Sequence, residues 1–467
     1  MFKYKELINR IEADIFPHLT PGALLPGAEE LCQRYEVSEI TVKKALSLLA
    51  KEKRVRRIPG KGTLFHPEHP SLVSHVRSRP QRTIFKVLTL NGWESADLLE
   101  KLCQEFTVLY PDTEFEFHRQ SPSCFEPISP EGYDLVHGNT WMIREYLTTP
   151  EWQKNFLALQ ELPGFFINEN IYFEEVLKWC RSHGRLTCFP LGISPIFAMF
   201  HMDYPVLRKM TLPLVMTAME FQDLLYRLRY ERQEESKYYP FLLEMSENRW
   251  PGFVKMMGGK LFDAESRQCT FNRPQTVAAL KAMQRLTQDR IVPNLQFGGN
   301  FSVSGLFATG KIGCMWGSFK YMRANIRKKN NIQYRMLPQQ ETGCSHLLID
   351  GLMVQRNCNN LDMAGKLFNF LQTSDAQLKI CRQADTFSAQ KDLAHLYFEN
   401  LAGIEPSVIN ILEQVKYAEP VAAAPRSSEW RTLGELLPKI WMGVDSVENV
   451  CQEITEAINI SSQSTPK

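Results

Sequence analysis

The chain has 467 residues and a formal charge of +2, so it is too long for one ordinary domain and has no overall basic excess. Its composition, 44% hydrophobic and 23% charged, is that of a soluble globular protein. No apolar run is long enough to span a membrane and the start does not resemble a secretory signal, so we expect a cytoplasmic protein.

The first informative pattern covers residues 25–65. A first helix is predicted at about 29–35, and residues 36–38 form a break. Ser38 is suited to cap a second helix, at roughly 39–50, whose apolar residues repeat at helical spacing. A basic, glycine-flanked hairpin follows. Helix, turn, helix and hairpin in this order predict a winged helix-turn-helix, a small α+β head that places its second helix in the major groove of DNA.

Basic residues are concentrated in this head. Eight lysines and arginines lie between Lys43 and Lys61, with Glu52 as the single acid among them. Such a local excess neutralises phosphates. A charge run alone is more often a solvated face, but together with the turn, the helix and the wing it predicts a DNA contact. The residues expected to contact DNA are Ser38, Glu39, Thr41, Lys43, Lys44, Arg56, Arg57, Gly60, Lys61, Gly62 and Thr63.

The head resembles the GntR family of bacterial transcription regulators over about residues 4–65. The resemblance rests on Pro21-Gly22, Leu25-Pro26, Glu30-Leu31, Tyr35, Val37-Ser38, Thr41-Val42, Lys44-Ala45-Leu46, Leu49 and Gly60-Lys61-Gly62-Thr63. The chain departs from it at Glu29 and Glu39, where the family usually has arginines that commonly touch DNA. A carboxylate cannot pair with guanine or phosphate but can accept from cytosine N4, so the family's usual operator is not expected. Lys43 stands where the family has a further arginine, and we expect that contact as a point charge.

The composition of the sequence changes after the head. Residues 66–82 are polar and begin with several prolines, which predicts a linker. Beyond it, strands are predicted at 83–90, 113–117 and 133–136, and helices near 96–110, 219–230, 274–288 and 360–383. Strand, helix and strand joined by short connections predict parallel β-α-β units. The predicted organisation is therefore a head at 1–65, a linker at 66–82 and an α/β domain at 83–467.

The α/β domain is similar to the bacterial extracellular solute-binding proteins of the sugar-binding, maltose type. The matching landmarks, in order, are 88–93, 133–136 with Trp141, 184–191, 218–221, 258–263, 307–317 and 364–377. The resemblance implies a two-lobe, periplasmic-binding-protein-like fold that closes over a sugar like a hinge. Members of that class are exported, but this chain starts with a DNA-binding head. We therefore expect the two lobes to act as a sensor inside the cell.

Candidate ligand contacts follow from the chemistry of sugars, which present flat apolar faces with hydroxyl rims. Trp93 and Trp141 each follow a predicted strand, where α/β folds place ligands. Trp316 lies in a hinge-like stretch. An isolated tryptophan is more often part of a core, so each of these remains a hypothesis. The expected ligand contacts are Trp93, Asp134, Asn139, Trp141, Trp316 and Asp350.

No motif indicates catalysis, a cofactor or a metal. The sequence contains no nucleophile elbow, phosphate loop or zinc-protease helix, so we expect no enzymatic activity and no cofactor. The eleven cysteines are scattered without a C-x-x-C pair, which predicts free thiols. His66 and His69 are interrupted by prolines and are not expected to bind metal.

Three functional hypotheses remain. The leading one is a transcription regulator, a homodimer on double-stranded operator DNA, whose two-lobe domain senses a small carbohydrate. The second is a sugar-binding module with a vestigial head, which Glu29 and Glu39 favour. The third is a large domain that binds a protein partner. The identity of the ligand and of the operator, and the direction of regulation, are not evident in the sequence.

Overall fold

The computed structural model describes residues 3–16, 19, 23–51, 54–58, 62–65, 82–90, 93–120, 128–231, 238–263, 268–293, 303–339, 343–419 and 427–463. The chain divides into two compact units, Met1–Thr83 and Ile84–Lys467. Apart from Arg82, the predicted linker lies outside the described residues.

The smaller unit is a winged helix-turn-helix. Its elements are α1 Lys3–Asp14, α2 Ala28–Tyr35, α3 Glu39–Lys51, β1 Val55–Ile58 and β2 Gly62–Phe65. The two strands pair antiparallel. Helix α2 ends because Glu36 takes a left-handed conformation with φ of 53° and donates its N–H to the carbonyl of Cys32. Ser38 then caps α3 as predicted, its Oγ accepting from the Thr41 N–H at 3.4 Å.

Each element of the smaller unit contributes to one apolar core. The buried members are Leu7, Ile11, Ile15, Phe16, Leu25, Leu31, Tyr35, Val42, Ala45, Leu46, Leu49, Val55 and Phe65. The four residues from α3 lie at helical spacing, as the sequence predicted. Burial of this face leaves the opposite face of α3 exposed.

The larger unit combines strands and helices throughout. Its strands are β3 Thr83–Thr89, β4 Thr113–Arg119, β5 Leu135–Asn139, β6 Arg181–Ser182, β7 Arg185–Leu186, β8 Cys188–Pro195, β9 Phe197–His201, β10 Tyr239–Leu242, β11 Ile312–Gly317, β12 Ile332–Arg335, β13 Ser345–Val354 and β14 Ala418–Glu419. Its helices are α4 Trp93–Leu109, α5 Thr140–Thr148, α6 Pro150–Gln153, α7 Glu174–Trp179, α8 Ala218–Tyr230, α9 Trp250–Met256, α10 Pro274–Gln288, α11 Val303–Ala308, α12 Phe319–Arg327, α13 Leu361–Leu371, α14 Ser374–Gln383, α15 Lys391–Ala402, α16 Asn410–Val415, α17 Ser427–Trp441 and α18 Val447–Gln463.

Two sheets define two lobes. The first sheet has the order β14-β13-β5-β3-β4, with β8 added on β13, and the second has the order β10-β11-β9-β12. Strands β3 and β5 are parallel, as the strand-helix-strand pattern predicted. Strand β13 runs antiparallel to both β5 and β8, so the first sheet is mixed. Only Ile196 separates β8 from β9, and the chain passes from the first sheet to the second there.

The second sheet is buried on both faces. Along β9, Phe197 and Met199 pack with the core of the first sheet. The alternate residues, Ala198 and Phe200, pack in a second core that includes the C-terminal helices α17 and α18. This alternation follows from the two-residue period of a strand.

Several predicted bounds differ from the structure. The helix predicted at 360–383 is two helices, because Thr373 interrupts it and caps α14 by accepting from the Ala376 N–H at 3.4 Å. The strand predicted at 133–136 is β5, which begins two residues later.

Two further findings concern the described residues as a whole. None of their helices is both long and apolar enough to cross a membrane. Their ten cysteines are free thiols, nine of them buried.

Candidate ligand cleft and DNA-binding face

The exposed face of α3 and the hairpin form the candidate DNA-binding face. Ser38, Glu39, Lys43, Lys44, Arg56, Arg57 and Gly62 are exposed there, and Thr41 and Thr63 are half-buried. Gly60 and Lys61 lie outside the described residues. Gly62 has a φ of 102°, and a Cβ there would lie 3.0 Å from a methyl of Leu24. The hairpin therefore requires glycine at this position.

Two of the predicted lysines have partners within the head. Lys43 forms an i,i+4 pair with Glu39 at 2.7 Å, and the Lys44 ammonium lies 4.4 Å from the centre of the Tyr4 ring on α1. The Glu39–Lys43 pair is exposed on both sides, and such pairs contribute little to stability. Lys43 can therefore exchange Glu39 for a phosphate at small cost.

Ile40 is a candidate that the sequence analysis missed. It is the second residue of α3, and 79% of it is exposed. An apolar side chain at the start of a recognition helix suits the C5-methyl group of thymine. In the sequence, only the position of Ile40 at the start of the second helix indicated a contact with DNA, because Ile40 falls outside the apolar face of α3.

In the larger unit, a cleft of about 290 Å³ lies between the two lobes. It is lined by Ser95, Asn139, Thr140, Trp141, Glu244, Ser246, Glu247, Asn248, Arg249, Ser318, Lys320, Tyr321, Leu348, Ile349, Asp350, Asp385 and Thr386. Many of these residues follow the carboxyl ends of β5, β10 and β11, where open α/β sheets hold ligands. The volume is at the small end of pockets for small molecules, which run from about 300 to 1,000 Å³.

Trp141 connects the two walls of the cleft. Its indole N–H donates to Asn248 Oδ1 at 3.2 Å, and its ring meets Trp430 edge-on at 5.3 Å. Asn139 fixes the start of α5 by accepting from the backbone N–H groups of Trp141 and Met142 at 3.1 and 3.3 Å. This cap positions the indole at the cleft.

A buried polar chain lies behind Asp350. The Asp350 carboxylate is 2.6 Å from Nε2 of His137, and Nδ1 of His137 is 2.8 Å from the Thr89 hydroxyl. The three residues belong to β13, β5 and β3, so the chain of hydrogen bonds crosses the first sheet. Because all three are buried, one oxygen of Asp350 is held in place at the wall of the cleft.

The opposite wall contains a buried arginine and two glutamates. The Arg249 Nε–H donates to the carbonyl of Trp316 at 3.0 Å, and Arg249 forms a long ion pair, 3.8 Å, with Glu244. Burial raises the pKa of Glu247 above its usual range. This wall is therefore polar and partly shielded from water.

A lysine–aspartate pair also lines the cleft. Lys320 Nζ lies 2.9 Å from Asp385 Oδ2. A hydrogen bond with Asp385, followed by burial, raises the pKa of the neighbouring Glu94. Burial likewise raises the pKa of the Tyr321 hydroxyl, whose ring also lines the cleft.

The structure brings together only part of the predicted ligand set. Asn139, Trp141 and Asp350 line the cleft, and the side chain of Trp93 lies outside the described residues. Asp134 lies elsewhere, where its carboxylate accepts from the backbone N–H groups of Lys86 and Asn359 at 2.8 and 2.7 Å. It precedes β5, at the amino end of the strand, whereas ligands sit at the carboxyl end.

Trp316 also lies away from the cleft lining. Only 1% of it is exposed, and its ring packs against Phe221, Phe241 and Phe253. It lies on β11 in a sheet buried on both faces, so its side chain enters a core whichever way it points. Only its backbone carbonyl bears on the site, as the acceptor for Arg249.

Most of the cleft residues were not foreseen from the sequence. The loop 244–249, the turn at 318–321 and the pair Asp385-Thr386 carry no motif. One weak signal was available for the first two, since each follows a β-strand of an α/β domain. Asp385 and Thr386 follow a helix, and only the tertiary fold brings them to the cleft.

Comparisons with known proteins agree with this division. Residues 3–65 match the model of a family described as bacterial regulatory proteins, gntR family. No curated protein matches the chain in sequence.

Solved structures of solute-binding proteins resemble most of the chain. An ABC substrate-binding protein from Listeria monocytogenes, in complex with cycloalternan, has 14% identity and a TM-score of 0.68, over 82% of this chain and 100% of that one. A solute-binding protein from Agrobacterium vitis with bound D-mannitol has 14% identity and a TM-score of 0.66, over 82% and 100%. Maltose-bound MalE3 of T. maritima has 14% identity and a TM-score of 0.62, over 81% and 100%. At this identity the likeness shows the fold alone.

Proposed function

Because the chain joins a GntR-family winged helix-turn-helix domain to an α/β domain with the fold of sugar-binding proteins, we propose that it is a transcription regulator whose affinity for operator DNA is set by a small carbohydrate. The observation that carries the proposal is the polar cleft of about 290 Å³ between the lobes, in the same chain as a basic winged helix. We place it in the cytoplasm, where operator DNA is accessible.

The chemistry of the cleft supports a carbohydrate. A sugar needs a ring surface for its apolar face and donors and acceptors for its hydroxyls. Trp141 and Tyr321 supply aromatic surface, and serine, threonine, asparagine and carboxylate side chains surround them. The proteins of similar fold were solved with cycloalternan, D-mannitol and maltose bound, which gives the first compounds to test.

The DNA-binding face supports recognition of one half-site by each chain. A winged helix of this size reads one major groove, so useful affinity requires two heads on a near-palindrome. We propose a homodimer for this reason. Ligand binding then acts on operator affinity through the difference in ligand affinity between the two states of the dimer.

The first experiment tests whether the chain binds a carbohydrate. The full-length chain is titrated with maltose, cycloalternan and D-mannitol while its thermal unfolding is followed. A ligand that binds only the folded protein at about 100 times its Kd adds about 2.7 kcal/mol to the free energy of unfolding. Tyr321→Ala, which removes aromatic surface from the cleft, should weaken this effect at least tenfold in ligand concentration.

Lys328→Ala is the matched control, since Lys328 is exposed at the end of the same helix and does not line the cleft. An equal loss in both variants would place the ligand elsewhere. If no carbohydrate of a broad panel of neutral and charged sugars shifts the transition and operator binding is intact, a protein partner replaces the sugar as the controlling ligand. If operator binding is absent and a sugar binds, the head is vestigial.

A further inference from the structure

We propose that the ligand of the cleft is a carbohydrate with a positive charge, such as an amino sugar. This inference rests on the proposed function, because it names the chemical class of the ligand at that site. It starts from the balance of charge in the walls. Among the described residues that line the cleft, four carry carboxyl groups and two carry cations.

Both cations are engaged by the protein itself. Lys320 is paired with Asp385 at 2.9 Å. The side chain of Arg249 is 5% exposed and donates to the carbonyls of Trp316 and Asn248 at 3.0 and 3.4 Å. An anionic ligand would therefore find no uncommitted cation among the described lining residues.

The two carboxylates of the second lobe, Glu244 and Glu247, have no such close partners. Glu244 Oε2 is buried without a hydrogen-bond partner among the described residues, and its ion pair with Arg249 is long, at 3.8 Å. Glu247 forms no salt bridge within the described part of the chain, and burial raises its pKa. A partly buried carboxylate is costly unless a cation or several donors face it. A ligand ammonium would provide that missing charge.

A buried hydroxyl points independently to a polar ligand. Thr386 is 7% exposed and lines the cleft, and its Oγ1 has no hydrogen-bond partner among the described residues. Buried polar groups in proteins are nearly always paired. Ser95 and Ser318 are also buried and add two hydroxyls to the walls. These groups fit the hydroxyl rim of a sugar ring.

A metal ion is a poorer match for the same charge. No group of three or more histidine, cysteine or acidic side chains with the geometry of a metal site occurs among the described residues. An organic cation needs no such cluster, because it is held by attraction to the carboxylates of the cleft and by hydrogen bonds to the ammonium.

Neutral sugars are the alternative, since carboxylates also accept hydrogen bonds from hydroxyls. The difference lies in the charge of the ligand: a neutral sugar adds no positive charge beside Glu244 and Glu247, which have only the long pair with Arg249, whereas an ammonium pairs with them. We expect the amino sugar to bind at least tenfold more tightly than its neutral counterpart, which corresponds to about 1.4 kcal/mol.

The experiment is isothermal titration of the full-length chain, slightly below neutral pH so that the amines are protonated. The probes are glucosamine and its β-1,4-linked disaccharide, with glucose and cellobiose as neutral counterparts and glucuronic acid as the anion. We expect the amino sugars to bind most tightly, the neutral sugars less tightly and glucuronic acid least tightly. In Glu244→Gln/Glu247→Gln the ratio of amino-sugar affinity to neutral-sugar affinity should fall below threefold. Glu399→Gln, an exposed carboxylate outside the cleft, should preserve the preference.

Three outcomes would overturn the inference. If neutral sugars bind as tightly as amino sugars, the charge preference is refuted and the proposed carbohydrate sensor stands. If the amino sugars do not bind, the inference also fails, and the neutral panel of the preceding test decides separately whether the cleft binds carbohydrates. A preference that survives in the double glutamine variant would place the amine away from these glutamates and would equally refute the assignment.

Discussion

At the scale of single residues, the recognition helix carries side chains that predict an unusual reading of DNA. Glu39 and Ile40 occupy its first turn and are both exposed. A carboxylate accepts from cytosine N4, and an apolar chain contacts the thymine methyl. Neither favours guanine. The operator should therefore differ from those read by arginine at these positions.

Ile40 gives the more direct test. Ile40→Ala should weaken binding to the operator selected from a random duplex library by about 5–30-fold, because a methyl contact worth about 1–2 kcal/mol is lost. Fluorescence anisotropy measures the affinity. Replacing thymine by uracil, which lacks the methyl group, should weaken the wild type equally and leave Ile40→Ala unaffected at the contacted position. Equal affinity of both proteins for the thymine operator would show that Ile40 does not face the bases.

The lowered pKa of His346 determines how the free energy of unfolding should depend on pH. Burial lowers its pKa from 6.5 to about 3, so the folded protein binds fewer protons at this site than the unfolded chain between these two values. The free energy of unfolding therefore falls as the pH drops below 6.5, by about 2 kcal/mol between pH 7 and pH 5.

The measurement is chemical denaturation of the wild type and His346→Gln at both pH values. The loss on acidification should be about 2 kcal/mol smaller in the variant, since glutamine does not titrate. Parallel losses in the two proteins would show that His346 is protonated in the folded state. The other titrating groups are the same in both proteins. Subtracting the loss in the variant from the loss in the wild type therefore removes their contribution.

At the scale of elements, we expect the hairpin wing to contribute to the electrostatic part of DNA binding. Arg56 and Arg57 are exposed on β1. If each meets one phosphate, Arg56→Ala/Arg57→Ala should reduce the slope of log K against log salt by about 1.8, since each contact contributes about 0.9. A salt titration on operator and on unrelated duplex measures this slope. The control is Arg290→Ala in the larger unit, and an unchanged slope in the double variant would remove the wing from the interface.

Elements with strong local signals were predicted well from the sequence. Helix α3 follows from its apolar spacing and from the Ser38 cap, and the parallel pairing of β3 and β5 follows from the helix between them. The predicted helix at 360–383 missed the break at Thr373, because its apolar periodicity continues across the cap. The local sequence pattern therefore predicts whether an element is a helix or a strand better than it predicts where the element begins and ends.

The cleft was predicted less completely because it depends on tertiary contacts. Trp141 was predicted because it follows a predicted strand, and it lines the cleft together with Asn139, the last residue of β5. The hinge-like stretch suggested a ligand contact for Trp316, but both faces of its sheet are covered and its side chain lies in a core. Asp385 and Thr386 reach the cleft only because Ile193 bridges to Phe387, a contact across the fold that no local pattern encodes.

At the scale of the whole molecule, the proposed function couples two binding events in one chain. A ligand can change operator affinity only by as much as its affinity differs between the two states, typically about 1–3 kcal/mol or roughly 5–150-fold. Reciprocity requires operator DNA to change ligand affinity by the same factor. This equality separates a regulator from a sugar binder with an inactive head.

The most direct measurement is therefore calorimetric titration of the full-length chain with the carbohydrate that binds the cleft, performed with and without saturating operator duplex. We expect the two dissociation constants to differ by at least fivefold, and we expect the same factor to separate the operator affinities measured with and without the sugar. Equal constants in both titrations, with sugar and operator each bound, would contradict the claim that the cleft controls the DNA-binding head.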